Sequence, residues 1–206
     1  MTAREEILAR VRKSIAISAP AAPVMREYRQ TGTLSEADKI ALFVERLEDY
    51  NAGVHRCSPE DLPAKIAEAL TARGKARILI PPGFPAGVLP EGIQFTRDEA
   101  LEYKAIDAFD GALTMASGAI AMTGSILLTH SEAEGRRALT LIPDYHLCIV
   151  YNHQLAETVP EGIRALAGRQ TSPITTIAGP SATADIEMTR VKGVHGPRTL
   201  DVIIAG

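Results

Sequence analysis

Short apolar runs recur along the chain and predict strands, since each is bounded by Gly, Pro or polar residues. The runs lie at residues 54–57, 77–81, 125–129, 146–151, 174–178 and 200–205. A continuous apolar run such as 77–81 is typical of a sheet covered on both sides. Because helical segments separate several runs, the pattern predicts an α/β fold, a three-layer sandwich with a largely parallel sheet.

Apolar residues at helical spacing predict the helices between these strands. Ser35 caps a helix that carries Phe43 on its apolar face, and the Ser58-Pro59 sequence opens the next helix. Residues 155–166 predict a later helix, and the run at 174–178 predicts a buried strand beyond it.

A separate helix opens the chain, where Thr2 and Glu5 have the spacing of a capping box. Its apolar face carries Ile7, Leu8, Val11 and Ile15. Residues 18–23, Ser-Ala-Pro-Ala-Ala-Pro, form a stiff linker. We therefore divide the chain into an N-terminal helix and linker, 1–34, and a main domain, 35–206. The helical arm is expected to dock on the body, a partner or a second copy rather than on a membrane.

Composition excludes several classes of function. The net charge is -3, Trp is absent and only 4% of residues are aromatic, so no nucleic-acid partner is expected. No apolar run is long enough for a membrane span, and the charged N-terminal helix differs from a signal sequence, so we expect a cytoplasmic protein. Cys57 and Cys148 form no Cys-x-x-Cys pair, which argues against a zinc or iron–sulfur centre. No phosphate-loop or dinucleotide motif is present either, and no cofactor is expected.

Small residues, including Gly111, Gly118 and Gly124, dominate the chain from residue 111 to 124. They predict either close backbone packing or the approach of a ligand to the backbone.

A polar turn follows the strand predicted at 174–178. Gly179-Pro180 ends that strand, and its polar side chains are Ser181, Thr183, Asp185 and Glu187. One interpretation is a capped helix start with a solvated acidic first turn. The other is an anion site made by backbone N–H groups, in which the two acids would repel a phosphate unless a cation or an Arg intervenes.

Arg136 and Arg137 follow Gly135 in a loop after a strand, where the carboxyl edge of a sheet would place a ligand crevice. Either could bind a carboxylate or phosphate through its planar fork. Because adjacent arginines point apart, we expect one of them at the ligand, assisted by backbone N–H groups near Ser181 and Thr183. The alternative is an ion pair with Asp144 or Glu134. Asp185 would orient the arginine or a bound cation.

The histidines leave alternatives open. His195 lies between Gly193 and Gly196, which would present it to a ligand, although a turn role is equally consistent with the pattern. His146, at a strand start, is either a packing residue or a general acid–base group. His130 lies near Glu132 but lacks the rigid spacing of a metal site, so no metal is expected.

Three ordered motifs resemble the lactate utilization protein C family: 135–146 (GRRALTLIPDYH), 179–187 (GPSATADIE) and 193–197 (GVHGP). The resemblance covers roughly residue 35 to the C-terminus and the type of N-terminal arm. It implies a lactate-utilization (LUD) domain, whose fold is related to ribose-5-phosphate isomerase and CoA transferases. It further implies a role in bacterial oxidation of L-lactate to pyruvate beside two iron–sulfur partner proteins. The family often has Glu where this chain has Met122, so no acid–base role transfers to that position.

Two functional hypotheses follow. The first is a non-redox subunit of an L-lactate-oxidising system, with iron–sulfur subunits as partners and a pocket for a small carboxylate or phosphate. The second is a free-standing enzyme on a phosphorylated or CoA-linked small molecule, by analogy of fold. Neither the residues nor the resemblance identifies catalytic residues.

Overall fold

The fold consists of a parallel sheet, a smaller mixed sheet and the helices that cover them. The computed structural model describes residues 2–17, 25, 27–168, 172–183, 191–192 and 196–206. Its helices are α1 (Ala3–Ile17), α2 (Glu36–Asp49), α3 (Leu62–Ala72), α4 (Tyr103–Ile106) and α5 (Val159–Ala165). Its strands are β1 (Gly53–Cys57), β2 (Arg77–Ile80), β3 (Gln94–Arg97), β4 (Gly111–Met115), β5 (Gly118–Ile120), β6 (Ser125–Leu128), β7 (Tyr145–Tyr151), β8 (Leu155–Ala156), β9 (Thr175–Ile177), β10 (Ala182–Thr183), β11 (Val191–Lys192) and β12 (Thr199–Ala205).

The central sheet has the order β1-β12-β7-β4-β2-β3, and every pair of neighbours in it is parallel. Side chains alternate along β12, where Val202 faces one side of the sheet and Ile203 the other. α2 and the smaller sheet pack on the first side, and α3 packs on the second. The predicted three-layer α/β fold with a parallel sheet is confirmed.

The smaller sheet has the order β8-β5-β6-β9. β9 lies at its edge and pairs with β6 in antiparallel orientation. The prediction of a buried strand at 174–178 is wrong in one respect: Ile177 packs on the core, but Thr176 is exposed and Ile174 is 43% exposed. An edge strand covered on one face buries only alternate side chains.

The helix predicted over 155–166 is shorter, because its first two residues form β8 beside β5. α5 begins only after Thr158, whose hydroxyl accepts from the Glu161 backbone N–H while the Glu161 side chain accepts from the Thr158 backbone N–H. Pro160 lies in the first turn, a position that suits its fixed φ.

The helix start considered at Ser181 and Thr183 is also absent from the described residues. Ala182 and Thr183 form β10, which pairs with β11 in antiparallel orientation. Asp185, Glu187, His195 and the linker 18–23 lie outside the residues that the structure describes.

Close backbone packing accounts for two of the small residues. A Cβ on Gly111 would lie 2.7 Å from Cδ1 of Tyr145, and a Cβ on Gly124 would lie 2.8 Å from Cβ of Arg46. Gly124 also has a φ of +60°, which favours glycine. At these positions the packing interpretation is the correct one.

The N-terminal helix α1 buries none of its side chains. Arg29 pairs with Glu157 of the body, and the backbone N–H groups of residues 32–34 donate to carboxylates near α5. Gly32 donates to Glu161 at 2.8 Å, and Thr33 and Leu34 donate to the buried Glu157 at 2.5 and 2.6 Å. Among the described helices, none has the length and apolar character that a membrane span requires.

Candidate functional site

A cavity of about 260 Å³ opens where β7 and β12 begin, beside the end of β9. Arg137 and His146 contribute its titratable side chains among the described residues. Its lining comprises Arg137, Thr140, His146, Thr176, Ile177, Ala178, Gly179, Pro180, Ser181, Gly196, Pro197 and Leu200. The cavity thus brings together Arg137, Gly179 and Ser181 of the predicted ligand residues.

Arg137 begins a short 3₁₀ turn, Arg137–Thr140, just before β7. Its Nη1 donates to the backbone oxygen and the hydroxyl of Thr140, both at 2.8 Å. Within the part of the chain that the structure describes, no carboxylate lies within ion-pair distance of Arg137. Burial lowers the pKa of its guanidinium, but Arg stays charged in proteins. Arg137 therefore places a positive charge in the cavity wall.

Arg136 has a different environment. Its Nε and Nη2 donate to the two carboxylate oxygens of Asp98, at 2.6 and 2.9 Å, and Nη2 also contacts the backbone oxygen of Leu101. The two arginines point apart, as predicted. The ion-pair alternative holds for Arg136, but with Asp98 rather than Asp144 or Glu134. Of the two arginines, Arg137 is the one that lines the cavity, and the ligand role expected for one of the pair stays a prediction.

His146 is 1% exposed and lies in the cavity wall at the start of β7. Its Nε2 is 2.9 Å from the hydroxyl of Thr114 on β4. Burial, together with the positive charge of Arg137, lowers the pKa of His146 to about 4. The imidazole is therefore neutral near pH 7. The sequence signal for this residue is a polar side chain at the start of an otherwise apolar strand.

The polar turn after β9 contributes backbone rather than charge to the described cavity. Gly179 has a φ of +93°, and a Cβ there would lie 2.6 Å from Cβ of Tyr50. The backbone N–H of Ser181 donates to the oxygen of Pro197 at 2.8 Å, so it does not point to an anion as expected. Thr183 lies in β10, and the ligand roles of Asp185, Glu187 and His195 stay predictions.

The position of the cavity corrects another expectation. The loop of Arg136 and Arg137 was expected at the carboxyl edge of the parallel sheet. Arg136 lies there, bonded to Asp98 just after β3, but Arg137 lines the cavity beside His146 and Leu200, at the amino ends of their strands. The course of the chain after β6 explains the position of Arg137. This strand belongs to the smaller sheet, and the chain after it leads through the Arg137–Thr140 turn into the start of β7.

His130 does not form the metal site considered with Glu132. Its Nδ1 is 3.0 Å from the backbone oxygen of Gly135, and its Nε2 is 2.9 Å from the hydroxyl of Thr175. Both ring nitrogens are therefore used within the protein. The described residues contain no cluster of three or more His, Cys, Asp or Glu side chains suited to a metal ion.

The comparisons with known proteins agree with the sequence motifs. The LUD domain model matches residues 40–205. Lactate utilization protein C of Deinococcus radiodurans is 43% identical, over 99% of this chain and 96% of that protein. An uncharacterized protein of Neisseria meningitidis is 27% identical, over 98% of this chain and 93% of that protein.

A crystal structure of a DUF162 family protein from Deinococcus radiodurans has the same fold. The TM-score is 0.74 at 40% identity, and the match covers 84% of this chain and 100% of the other. Because the LUD domain model spans most of the chain and a 43% identical relative spans nearly all of it, this protein belongs to the LUD-domain family.

Proposed function

We propose that this protein is a component of a bacterial L-lactate utilization system and that its cavity binds a small organic anion through Arg137. Family membership and the name of the 43% identical relative support the pathway. The observation that carries the anion site is the charged Arg137 in the cavity wall, without a carboxylate partner among the described residues.

The chemistry of the cavity favours a small carboxylate such as lactate or pyruvate. The backbone oxygen and the hydroxyl of Thr140 both accept a hydrogen bond from Nη1 of Arg137, which orients the planar guanidinium. The remaining N–H groups of a guanidinium can then bind a carboxylate in a fork. A cavity of about 260 Å³ is smaller than the roughly 300–1,000 Å³ that encloses a drug-sized ligand.

We further infer that the chain acts as a non-redox subunit in the oxidation of L-lactate to pyruvate, with iron–sulfur proteins as its partners. The exposed apolar residues of α1, including Ile7 and Val11, offer a surface for such a partner. The redox centres would then lie on the partner chains. Co-purification of iron–sulfur proteins supports this assembly, whereas turnover by the isolated chain supports a free-standing enzyme instead.

Calorimetric titration with L-lactate and with pyruvate tests the anion site. Replacement of Arg137 by Ala should weaken binding by about 2–4 kcal/mol, which is roughly thirty- to several-hundred-fold. Arg137→Lys should also weaken it, because Lys keeps the charge but loses the fork. The matched control is Arg136→Lys, which should bind both acids as the wild type does. Wild-type affinity in both Arg137 variants would place the anion elsewhere.

A further inference from the structure

A chain of polar groups runs from the cavity wall into the parallel sheet. It begins at Nε2 of His146, which is 2.9 Å from the hydroxyl of Thr114. That hydroxyl is 3.7 Å from Sγ of Cys148, and Sγ is 3.9 Å from the backbone oxygen of Met115. Thr114 and Cys148 are completely buried. Water therefore does not compete for these weak sulfur contacts.

The end of this chain determines the direction of its hydrogen bonds. A backbone carbonyl only accepts, and all three contacts are satisfied together only when the thiol of Cys148 donates its proton to Met115. Burial raises the pKa of that thiol to about 12, which keeps the proton on the sulfur. The sulfur then accepts from the Thr114 hydroxyl, whose single proton is used in that contact. The hydroxyl can accept but not donate toward the ring, so Nε2 of His146 carries the ring proton.

This arrangement leaves Nδ1 of His146 as the ring nitrogen with a lone pair. Among the described residues, Nε2 alone of the two ring nitrogens has a hydrogen-bond partner, and the ring lines the same cavity as Arg137. The low pKa of His146 prevents Nδ1 from acquiring a proton near pH 7. The neutral ring of His146 and the positive charge of Arg137 thus line one small cavity.

We propose that Nδ1 of His146 accepts a hydrogen bond from the 2-hydroxyl of a carboxylic acid held by Arg137, so that the cavity selects 2-hydroxy acids over 2-oxo acids. The inference deepens the proposed function and rests on Arg137 as the carboxylate site. A hydroxyl donates to the lone pair, whereas a ketone oxygen only accepts and would face it without a proton between them. A site built to receive a proton rejects a ligand that lacks one.

Titration of three acids with the same three-carbon skeleton tests this selection at pH 7.5. The wild type should bind L-lactate about tenfold more tightly than pyruvate or propionate, since one hydrogen bond to a ligand is involved. His146→Phe keeps an aromatic ring but removes the acceptor, and it should bind the three acids equally. Thr114→Val removes the hydroxyl that fixes the ring proton. The affinity for lactate relative to pyruvate should therefore fall toward one.

The ¹⁵N chemical shifts of His146 in the ligand-free wild type give a test that needs neither a variant nor a ligand. They should show the Nε2–H tautomer in the wild type and a mixture in Thr114→Val. The Nδ1–H tautomer in the wild type would overturn the inference. Equal affinities of the wild type for lactate and pyruvate, or a ratio of these affinities that is unchanged in His146→Phe, would also overturn it.

Failure of this inference differs from failure of the proposed function. One outcome is that Arg137→Ala weakens the binding of all three acids while the wild type binds them equally well. In that case the anion site is supported and the role of His146 is rejected. If Arg137→Ala binds all three acids as the wild type does, or if the wild type binds none of them, both the anion site and the role of His146 are rejected.

Discussion

Arg136 donates two parallel hydrogen bonds to Asp98, from Nε to Oδ2 at 2.6 Å and from Nη2 to Oδ1 at 2.9 Å. Asp98 is 4% exposed and also accepts from the backbone N–H of Leu101 at 3.0 Å. The pair joins the end of β3 to the loop before β7. Arg136 thus stabilises the fold, whereas its neighbour Arg137 faces the cavity.

Replacement of each arginine by Ala should therefore have opposite effects on stability and binding. Arg136→Ala leaves the Asp98 carboxylate buried without its partner, and we expect a loss of about 2–3 kcal/mol in the free energy of unfolding. This is below the range for fully buried pairs, because the Arg136 side chain is 37% exposed. Arg137→Ala should change that free energy by less than about 1 kcal/mol. Urea unfolding measures both, and equal losses would contradict the separation of roles.

A second buried carboxylate makes stability depend on pH. Asp201 on β12 is 1% exposed and accepts from Arg73 at 2.9 and 2.7 Å and from the phenol of Tyr145 at 2.9 Å. Burial alone would raise the pKa of Asp201, but the nearby His55, Arg73 and Tyr145 outweigh it and hold this pKa well below its ordinary value. The unfolded chain therefore binds a proton at Asp201 at a higher pH than the folded chain does.

The contribution of Asp201 should be complete above the unfolded pKa of about 3.9 and should be lost as the pH falls below it. Asp201→Asn should cost about 3 kcal/mol at pH 7, because it removes one partner of a buried pair. The difference between wild type and variant should shrink when urea unfolding is repeated at pH 3. Asp144→Asn is the control, since Asp144 and Arg198 are both more than half exposed, and its effect should stay below about 1 kcal/mol. A difference for Asp201 that is constant with pH would reject this account.

The sequence predicts four strands of the central sheet, β1, β2, β7 and β12, because their signal is local, but it predicts no strand at β3 or β4. Continuous apolar runs such as 77–81 are required wherever helices cover both faces of a strand. The edge strand β9 and the short strand β8 are harder to predict from the sequence, because their burial depends on neighbours that lie far away in the sequence. Leu155 begins a segment with helical spacing but pairs with Ala119.

The candidate site was predictable only in part. The expectation that Arg136 and Arg137 point apart needs only local geometry, and the structure confirms it. Which arginine faces the cavity depends on the position of Asp98, which is distant in sequence. The predicted carboxyl edge of the sheet is correct for Arg136 but wrong for Arg137, whose cavity lies at the amino ends of β7 and β12. The place of His146 in the cavity wall could not be predicted, since a polar side chain at the start of an apolar strand is equally consistent with a packing residue.

Two glycines with similar left-handed backbones offer a test of packing. Gly124 has a φ of +60° and Gly74 a φ of +64°, but a Cβ on Gly74 would meet nothing within 4 Å. A Cβ on Gly124 would lie 2.8 Å from Cβ and 3.1 Å from the backbone carbon of Arg46, so α2 would have to shift. Gly74→Ala should cost about 1–2 kcal/mol from backbone strain alone. Gly124→Ala should cost roughly 1–3 kcal/mol more, and equal losses in urea unfolding would show that the helix yields freely.

The N-terminal helix should be dispensable for folding, because none of its side chains is buried. Deletion of residues 1–23 should leave the melting temperature within about 2 °C of the full chain, which corresponds to less than about 1 kcal/mol for a chain of this size. Deletion of residues 1–34 also removes the N–H donors of Gly32, Thr33 and Leu34. The buried carboxylate of Glu157 then loses two backbone donors and its ion pair with Arg29, and we expect the melting temperature to fall by roughly 5–10 °C. Differential scanning calorimetry compares the two truncations with Glu157→Gln in the full chain, which should show part of the larger loss. A large drop on removal of residues 1–23 alone would mean that α1 packs on the body and that no partner surface is available there.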